Sequence, residues 1–209
     1  MKSFTSLKRL LPLLATFLLL GASLKASVHY HVTVNTASLL SDPSAPFALD
    51  FQLNGGGLFS NTAIISNFDF GGGSPSSDPS ASTFGLATGS LGSSVTLATD
   101  SLNAFNEFFQ GFIPGSYLKF DVRLGTNINT PTPDAFSFSI LDNNLQSITT
   151  DGLGNSLLLI DITDTAPVPQ IFSSISSPDI AVAVPEPVTT LVGFALVAAC
   201  GAVRHRRFR

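Results

Sequence analysis

Residues 105–125, which read FNEFFQGFIPGSYLKFDVRLG, decide the fold. After the pair Pro114-Gly115, apolar side chains alternate with Lys119, Asp121 and Arg123, and this period of two predicts a strand with one buried face. The phenylalanines before the pair also fit helical spacing, but residues 105–112 are too few and run into a proline, so we predict a second strand. We expect Pro114 and Gly115 at the centre of a type II turn. The charged residues of the later strand are interpreted as a surface network.

The same alternation recurs along the chain between residues 27 and 183. Residues 157–162 are nearly continuously apolar, which predicts a central strand covered on both faces. Residues 74–82, rich in serine and proline, predict a loop. With almost no helical periodicity, the pattern indicates an all-β fold, a single antiparallel β-sandwich of jelly-roll type. The other predicted strands are 28–34, 47–53, 63–70, 93–99 and 136–140, with an edge at 170–176 and a last extended segment at 179–183.

Residues 1–26 have the features of a secretory signal peptide. Basic residues precede an apolar run over 10–21, and small residues follow it. We predict a signal-peptide helix that directs the chain to the secretion machinery. Cleavage is expected after Ala26, with Ala22 and Ser23 as alternatives.

The segment 184–209 has three parts in order. Its prolines fix their own φ and bias the preceding residues toward extended geometry, so residues 184–187 predict a stiff, exposed tether. Residues 188–203 are apolar and would form a helix of about 24 Å, marginally long enough to span a membrane. The basic end 204–209 predicts a cytoplasmic location for the C-terminus and leaves the domain 27–183 outside.

This order of Pro-Glu-Pro, apolar helix and arginine-rich end resembles the PEP-CTERM sorting signal of Gram-negative bacteria. The resemblance implies that an exosortase, a membrane sorting enzyme, recognises the motif and processes the chain, and that the arginines set the membrane topology. An ordinary C-terminal anchor behind a proline-rich stalk is the alternative. The residues concerned are Val184, Pro185, Glu186 and Pro187 for sorting, and Arg204, Arg206 and Arg207 for topology.

A second resemblance lies in residues 107–124, EFFQGFIPGSYLKFDVRL. They are similar to the paired strands of jelly-roll carbohydrate-binding modules, in which a Gln-x-Phe strand, a turn with glycine and a strand alternating Tyr, Leu and Phe recur. This resemblance implies polysaccharide as a partner. The aromatic residues are 18 Phe, two Tyr and no Trp. Because sugar platforms favour Trp and Tyr, we interpret the alternating phenylalanines as core residues.

Charge and cysteine content exclude several classes of function. Segment 27–187 contains all fourteen acidic residues but only Lys119 and Arg123 as basic ones, a formal charge of −12. Such a surface repels nucleic acid, so we predict no nucleic-acid partner. Cys200, the single cysteine, lies in the apolar tail, so the domain has neither a disulfide nor a thiol nucleophile.

No catalytic motif is present in the sequence. The carboxylates are numerous enough to supply a glycosidase pair, but most of them lie at strand ends where turns explain them. We therefore predict no enzyme activity and no cofactor. His29 and His31 share one strand face and are candidate metal ligands. If cleavage follows Ala26, Ser27-Val28-His29 would also form an amino-terminal copper or nickel site.

Calcium ligands are the other candidate set. Oxygen ligands for calcium are supplied in principle by Asp142-Asn143-Asn144 with Asp151-Gly152 and Asn155, although we favour ordinary turns there.

The sequence thus predicts an exported, non-enzymatic protein of the cell envelope or extracellular matrix. It is expected to be held briefly in the inner membrane with its domain in the periplasm, and then to be released to the outer envelope or the medium. The alternative is a carbohydrate-binding module attached to extracellular polysaccharide.

Overall fold

The structure is a computed structural model that describes residues 27–55, 57, 60–148, 156–172 and 180–184. The predicted signal peptide and residues 185–209, which include the predicted sorting motif, the predicted helix and the arginines, lie outside the described residues. Val184, the first residue of the tether, is described and is exposed.

The described chain folds into two antiparallel sheets with a single short 3₁₀ helix, Ala37–Ser41, which confirms the all-β prediction. The strands are β1 (Ser27–Asn35), β2 (Phe47–Asn54), β3 (Thr62–Asp69), β4 (Ser74–Pro75), β5 (Ser82–Phe84), β6 (Thr88–Gly89), β7 (Val95–Ala98), β8 (Phe105–Ile113), β9 (Tyr117–Gly125), β10 (Ala135–Leu141), β11 (Leu158–Asp161), β12 (Gln170–Ile171) and β13 (Ile180–Ala183).

Within the described residues, the first sheet has the strand order β13-β1-β9-β3-β7-β6 and the second has the order β12-β11-β10-β2-β8-β4, with β5 also paired to β8. Each strand predicted from alternation is present, and residues 105–113 are a strand rather than a helix. The predicted loop 74–82 was wrong in part, because it holds β4 and the start of β5. These short strands have no apolar pattern and are held by their pairing with β8.

The link between β8 and β9 does not form the predicted turn, nor are these two strands paired. β8 pairs with β2 and β9 pairs with β1 and β3, so the link crosses from the second sheet to the first. Gly115 does not have the positive φ that a type II turn requires. Glycine is needed there because a Cβ would lie 2.0 Å from the carbonyl oxygen of Phe70. The apolar faces of β8 and β9 therefore pack on the core from opposite sheets.

β11 is not covered on both faces as predicted. It lies between β10 and the edge strand β12, and its burial alternates, with Leu158 and Ile160 buried and Leu159 only half-buried. Leu159 instead lines an open groove on the outer side of the second sheet. The continuous apolar run therefore predicted the strand correctly, but it did not predict that one face of the strand is only partly buried.

The core between the sheets is centred on an aromatic cluster. Phe51 of β2 has its ring centroid 5.1 Å from that of Phe138, 5.4 Å from that of Phe120 and 6.1 Å from that of Phe68. Phe51, Phe120 and Phe138 are essentially inaccessible to solvent. These contacts join both sheets, and such offset and edge-on ring pairs add to the stabilisation from burial.

A buried carboxylate closes one end of the core. Asp134 accepts hydrogen bonds from the Nδ2 atoms of Asn61 (3.0 Å) and Asn129 (2.8 Å) and from the Thr99 hydroxyl (3.0 Å). All four residues are at least 97 % buried. Because its oxygens accept several hydrogen bonds, we interpret Asp134 as a structural residue that links the chain segments at this end of the core.

A β-bulge interrupts β3 between Ser66 and Asp69, where the pairing register with β9 shifts. Asn67 lies in this bulge with φ 57°, a left-handed conformation that disfavours most side chains, and its Nδ2 donates to Asp121 Oδ2 at 2.7 Å.

We expect Asn67→Ala to lower the free energy of unfolding by about 1–2 kcal/mol, because alanine is strained at positive φ and cannot make the hydrogen bond. The matched variant Asn67→Gly keeps the backbone conformation and loses only the hydrogen bond, so its loss should be smaller. Thermal unfolding followed by circular dichroism measures both. A glycine variant less stable than the alanine variant would contradict the role given to the backbone.

Candidate functional site

The candidate site is a groove of about 800 Å³ on the outer face of the second sheet. Alternation along the strands builds it: Leu49, Phe51 and Leu53 of β2 point into the core, so Asp50 and Gln52 point outward. The floor of the groove is polar, and its sides include apolar atoms. Floor residues are Asp50, Gln52, Glu107, Ser137 and Ser139, with Phe109 and Leu159 beside them.

Strand register sets these side chains in two cross-strand rows. In one row, Asp50 lies between Ser139 of β10 and Phe109 of β8. In the next row, Gln52 lies between Ser137 and Glu107. Neighbouring residues on one sheet face are close enough to interact, so the two rows place both carboxylates and the amide in one patch.

The two carboxylates share one amide donor. Gln52 Nε2 donates to Asp50 Oδ2 at 2.8 Å and to Glu107 Oε1 at 3.2 Å, so these oxygens are at most about 6 Å apart. Asp50 is only 5 % exposed, and its other oxygen, Oδ1, is buried without a hydrogen-bond partner among the described residues. Such an unpaired buried acceptor is uncommon in a folded protein and calls for an explanation.

Burial, and then the charge of nearby Glu107, raises the pKa of Asp50 to about 7, although the hydrogen bond from Gln52 opposes the shift. Asp50 is therefore present in both protonation states near neutral pH. A carboxylate in this environment destabilises the fold when it is charged. A group in a groove whose pKa is strongly shifted by burial and a neighbouring charge is a candidate for a functional site.

Exposed aromatic rings lie beside the carboxylates on the same face of the sheet. Phe84 is the register partner of Glu107, and Phe105 precedes Glu107 by two residues on β8. Their ring centroids are 5.6 Å apart, and the two residues are 61 % and 40 % exposed.

The interpretation of the alternating phenylalanines as core residues is right for Phe108 and Phe112 but wrong for Phe105 and Phe109, which face outward.

His29 and His31 lie on the outward face of β1, away from the groove and on the other sheet. His31 Nδ1 contacts Asp121 Oδ1 at 2.5 Å. Partial burial raises the pKa of Asp121, but hydrogen bonds from Asn67 and His31 outweigh it and hold that pKa below its usual value. Asp121 thus belongs to a cross-strand surface network, but its partners are His31 and Asn67 rather than the basic residues of its own strand. The Lys119 ammonium lies 4.4 Å from the Tyr117 ring centroid.

In the described part of the chain, the structure adds no further metal ligands to the candidates predicted from the sequence. There, no group of three or more His, Cys, Asp or Glu side chains is placed to hold a metal. Ser27, Val28 and His29 are already paired with β9, so an amino-terminal copper site would have to compete with that pairing. Asp142 Oδ1 accepts from the backbone amides of Asn144 and Gln146 in a turn, and residues 151–155 lie outside the described residues.

Sequence reasoning missed Asp50, Gln52 and Glu107. The available signal was position: both carboxylates lie inside apolar strands, FALDFQL and FNEFFQGF, rather than at strand ends where turns explain them. A charged residue within a strand needs an outward face or a partner. Pairing of β2 with β8 then brings together two residues that are 57 positions apart.

Comparison of the chain with protein-family models, with curated proteins and with solved structures gave no match. Among the described residues, no helix has the length and apolar character needed to cross a membrane.

Proposed function

We propose that the chain is an exported, non-enzymatic protein of the cell envelope or extracellular matrix, sorted through its C-terminal segment. The tripartite order of residues 184–209 carries this proposal. An exosortase reads Val184, Pro185, Glu186 and Pro187 while the helix 188–203 holds the chain in the inner membrane. The arginines at 204, 206 and 207 keep the C-terminus in the cytoplasm, which leaves the sandwich, of jelly-roll type, in the periplasm.

Intact mass spectrometry of the protein recovered from envelope and medium tests this proposal. We expect a species that lacks residues 1–26 and is cut near Pro185–Pro187, with any added mass at the new C-terminus reporting an attached group. Deletion of the exosortase should leave the C-terminal helix uncleaved. Full-length molecules that stay in the cytosol with Lys2 and Arg209 retained would rule the proposal out.

Binding of extracellular polysaccharide is the second candidate function, and the groove on the second sheet favours it. Ligand sites are concave, and this groove is lined mostly by polar side chains with a few apolar ones, which suits a ligand rich in hydroxyl groups. A pull-down of the full chain with purified matrix polysaccharide from the producing cells tests it. Retention of the protein on the polysaccharide, resistant to salt, is the expected result, and no retention would count against this role.

A further inference from the structure

We propose that the groove, together with the Phe84–Phe105 pair beside it, binds an uncharged glycan: Asp50, Gln52 and Glu107 hydrogen-bond sugar hydroxyls, and the two rings pack against the faces of sugar rings. This inference rests on the proposed polysaccharide role and adds the class of sugar and the residues that recognise it.

The unpaired oxygen of Asp50 indicates what the ligand must supply. Oδ1 has almost no accessible surface and no donor among the described residues, so a ligand hydroxyl reaches it once the carboxylate of Asp50, which lines the groove, rotates toward the ligand. A sugar hydroxyl can donate to a carboxylate, and it can also accept from the protonated form. Asp50 carries either form near neutral pH, so a hydroxyl suits it in both, whereas a group that only donates or only accepts does not.

Charge decides between neutral and acidic glycans. Two carboxylates share the floor of the groove, and the only basic residues of segment 27–187, Lys119 and Arg123, lie on β9 in the other sheet. A uronate, sulfate or phosphate would therefore meet like charge without a basic partner. Neutral sugars carry hydroxyls alone and avoid this repulsion.

The aromatic pair supplies the apolar part of the site. Exposed phenylalanine rings have no hydrogen-bonding group, so their exposure on this face costs hydrophobic free energy that the C–H face of a sugar ring would recover. The rings lie next to Glu107, so one sugar unit can stack while its neighbour reaches the polar floor. The groove volume of about 800 Å³ also lies within the range of ligand sites, ~300–1,000 Å³.

Isothermal titration calorimetry of the full chain in mild detergent tests the site. The probes are neutral hexasaccharides of β-linked glucose, xylose, mannose and galactose, together with hexagalacturonate and a lysine-rich peptide. We expect binding of at least one neutral probe, with no binding of hexagalacturonate. Glu107→Gln and Phe105→Ala should each weaken that binding about tenfold or more, which corresponds to loss of one good contact of about 1.4 kcal/mol.

Matched variants control for charge and for exposed apolar surface. Asp69→Asn removes a carboxylate from the first sheet, and Ile113→Ala trims a residue of β8 that is 56 % exposed and lies outside the acidic patch. Both should leave affinity within about twofold of the unchanged chain. Phe84→Ala repeats the aromatic test, and circular dichroism verifies that each variant is folded.

Each result other than the expected one contradicts either the site, the ligand class or the polysaccharide role. Neutral-glycan binding that is unchanged in Glu107→Gln and in both phenylalanine variants overturns the site and leaves the polysaccharide role intact. Binding of hexagalacturonate or of the lysine-rich peptide alone overturns the ligand class. Silence with every glycan overturns both this inference and the polysaccharide role, while export and sorting are decided separately by intact mass.

Discussion

Replacing Asp50 with asparagine is expected to stabilise the protein at pH 8 by up to about 4 kcal/mol, since one pKa unit corresponds to ~1.4 kcal/mol. Burial and the neighbouring Glu107 raise the pKa of Asp50 from 3.8 to about 7. Above pH 7 the folded protein must hold this carboxylate charged in a poorly solvated site. Asparagine has nearly the same shape, can still accept from Gln52, and has no charge to desolvate.

The effect should depend on pH with a definite sign. Because the pKa of Asp50 is higher in the folded than in the unfolded chain, the folded state binds more protons between about pH 4 and pH 7. The contribution of Asp50 to the stability of the unchanged protein is therefore fully present below about pH 4 and is lost as the pH rises to about 7. The stability advantage of Asp50→Asn should be largest at pH 8 and should vanish near pH 4.

Chemical denaturation at pH 4, 6 and 8, followed by circular dichroism, measures this dependence. Asp69→Asn is the control. The amide of Gly71 and then the hydroxyl of Tyr117 lower the pKa of Asp69, so its removal should destabilise the protein at pH 8 rather than stabilise it. An Asp50→Asn variant that is less stable than the unchanged protein at pH 8 would show that the folded state already compensates the charge.

The largest loss of stability is expected for Phe51→Ala, at about 4 kcal/mol. Phe51 is fully buried and contacts the rings of Phe68, Phe120 and Phe138, so its removal leaves a cavity between the two sheets. Both the transfer free energy and the ring contacts are lost. Denaturant unfolding of the full chain in mild detergent gives the change in free energy.

Two variants bracket the Phe51 result. Phe51→Leu keeps most of the apolar volume and should cost roughly half as much or less. Phe84→Ala removes the same ring from a position that is 61 % exposed and should change stability by less than about 0.5 kcal/mol. A Phe51→Ala loss no larger than that of Phe84→Ala would contradict the placement of the core.

The strands of this protein could be predicted from local pattern because burial of one sheet face forces apolar residues to alternate. β8 and β9 show both the strength and the limit of this reasoning. Alternation located each strand within a residue or two. However, the same alternation occurs in strands that pair within one sheet and in strands that face each other across a core, so it does not show which strands are paired. The short strands β4, β5 and β6 were missed because they depend on pairing with a neighbour rather than on their own side chains.

The candidate site was hidden from the sequence for a related reason. Asp50 and Glu107 are ordinary polar positions in their own strands, and only the antiparallel register of β2 with β8 places them around one amide. The raised pKa of Asp50 likewise depends on burial by residues distant in the chain. A search limited to catalytic or metal-binding spacings does not find such a pair.

By itself, the sequence determined that the domain is made of β-strands, that its surface is strongly acidic, and where most strands begin and end. These follow from residue composition and from the period of two, which are local properties. Only the tertiary structure decided which strands are neighbours, that β8 and β9 belong to different sheets, and that two carboxylates share one groove with exposed rings beside it. Those outcomes depend on contacts between residues far apart in the chain, which local periodicity does not encode.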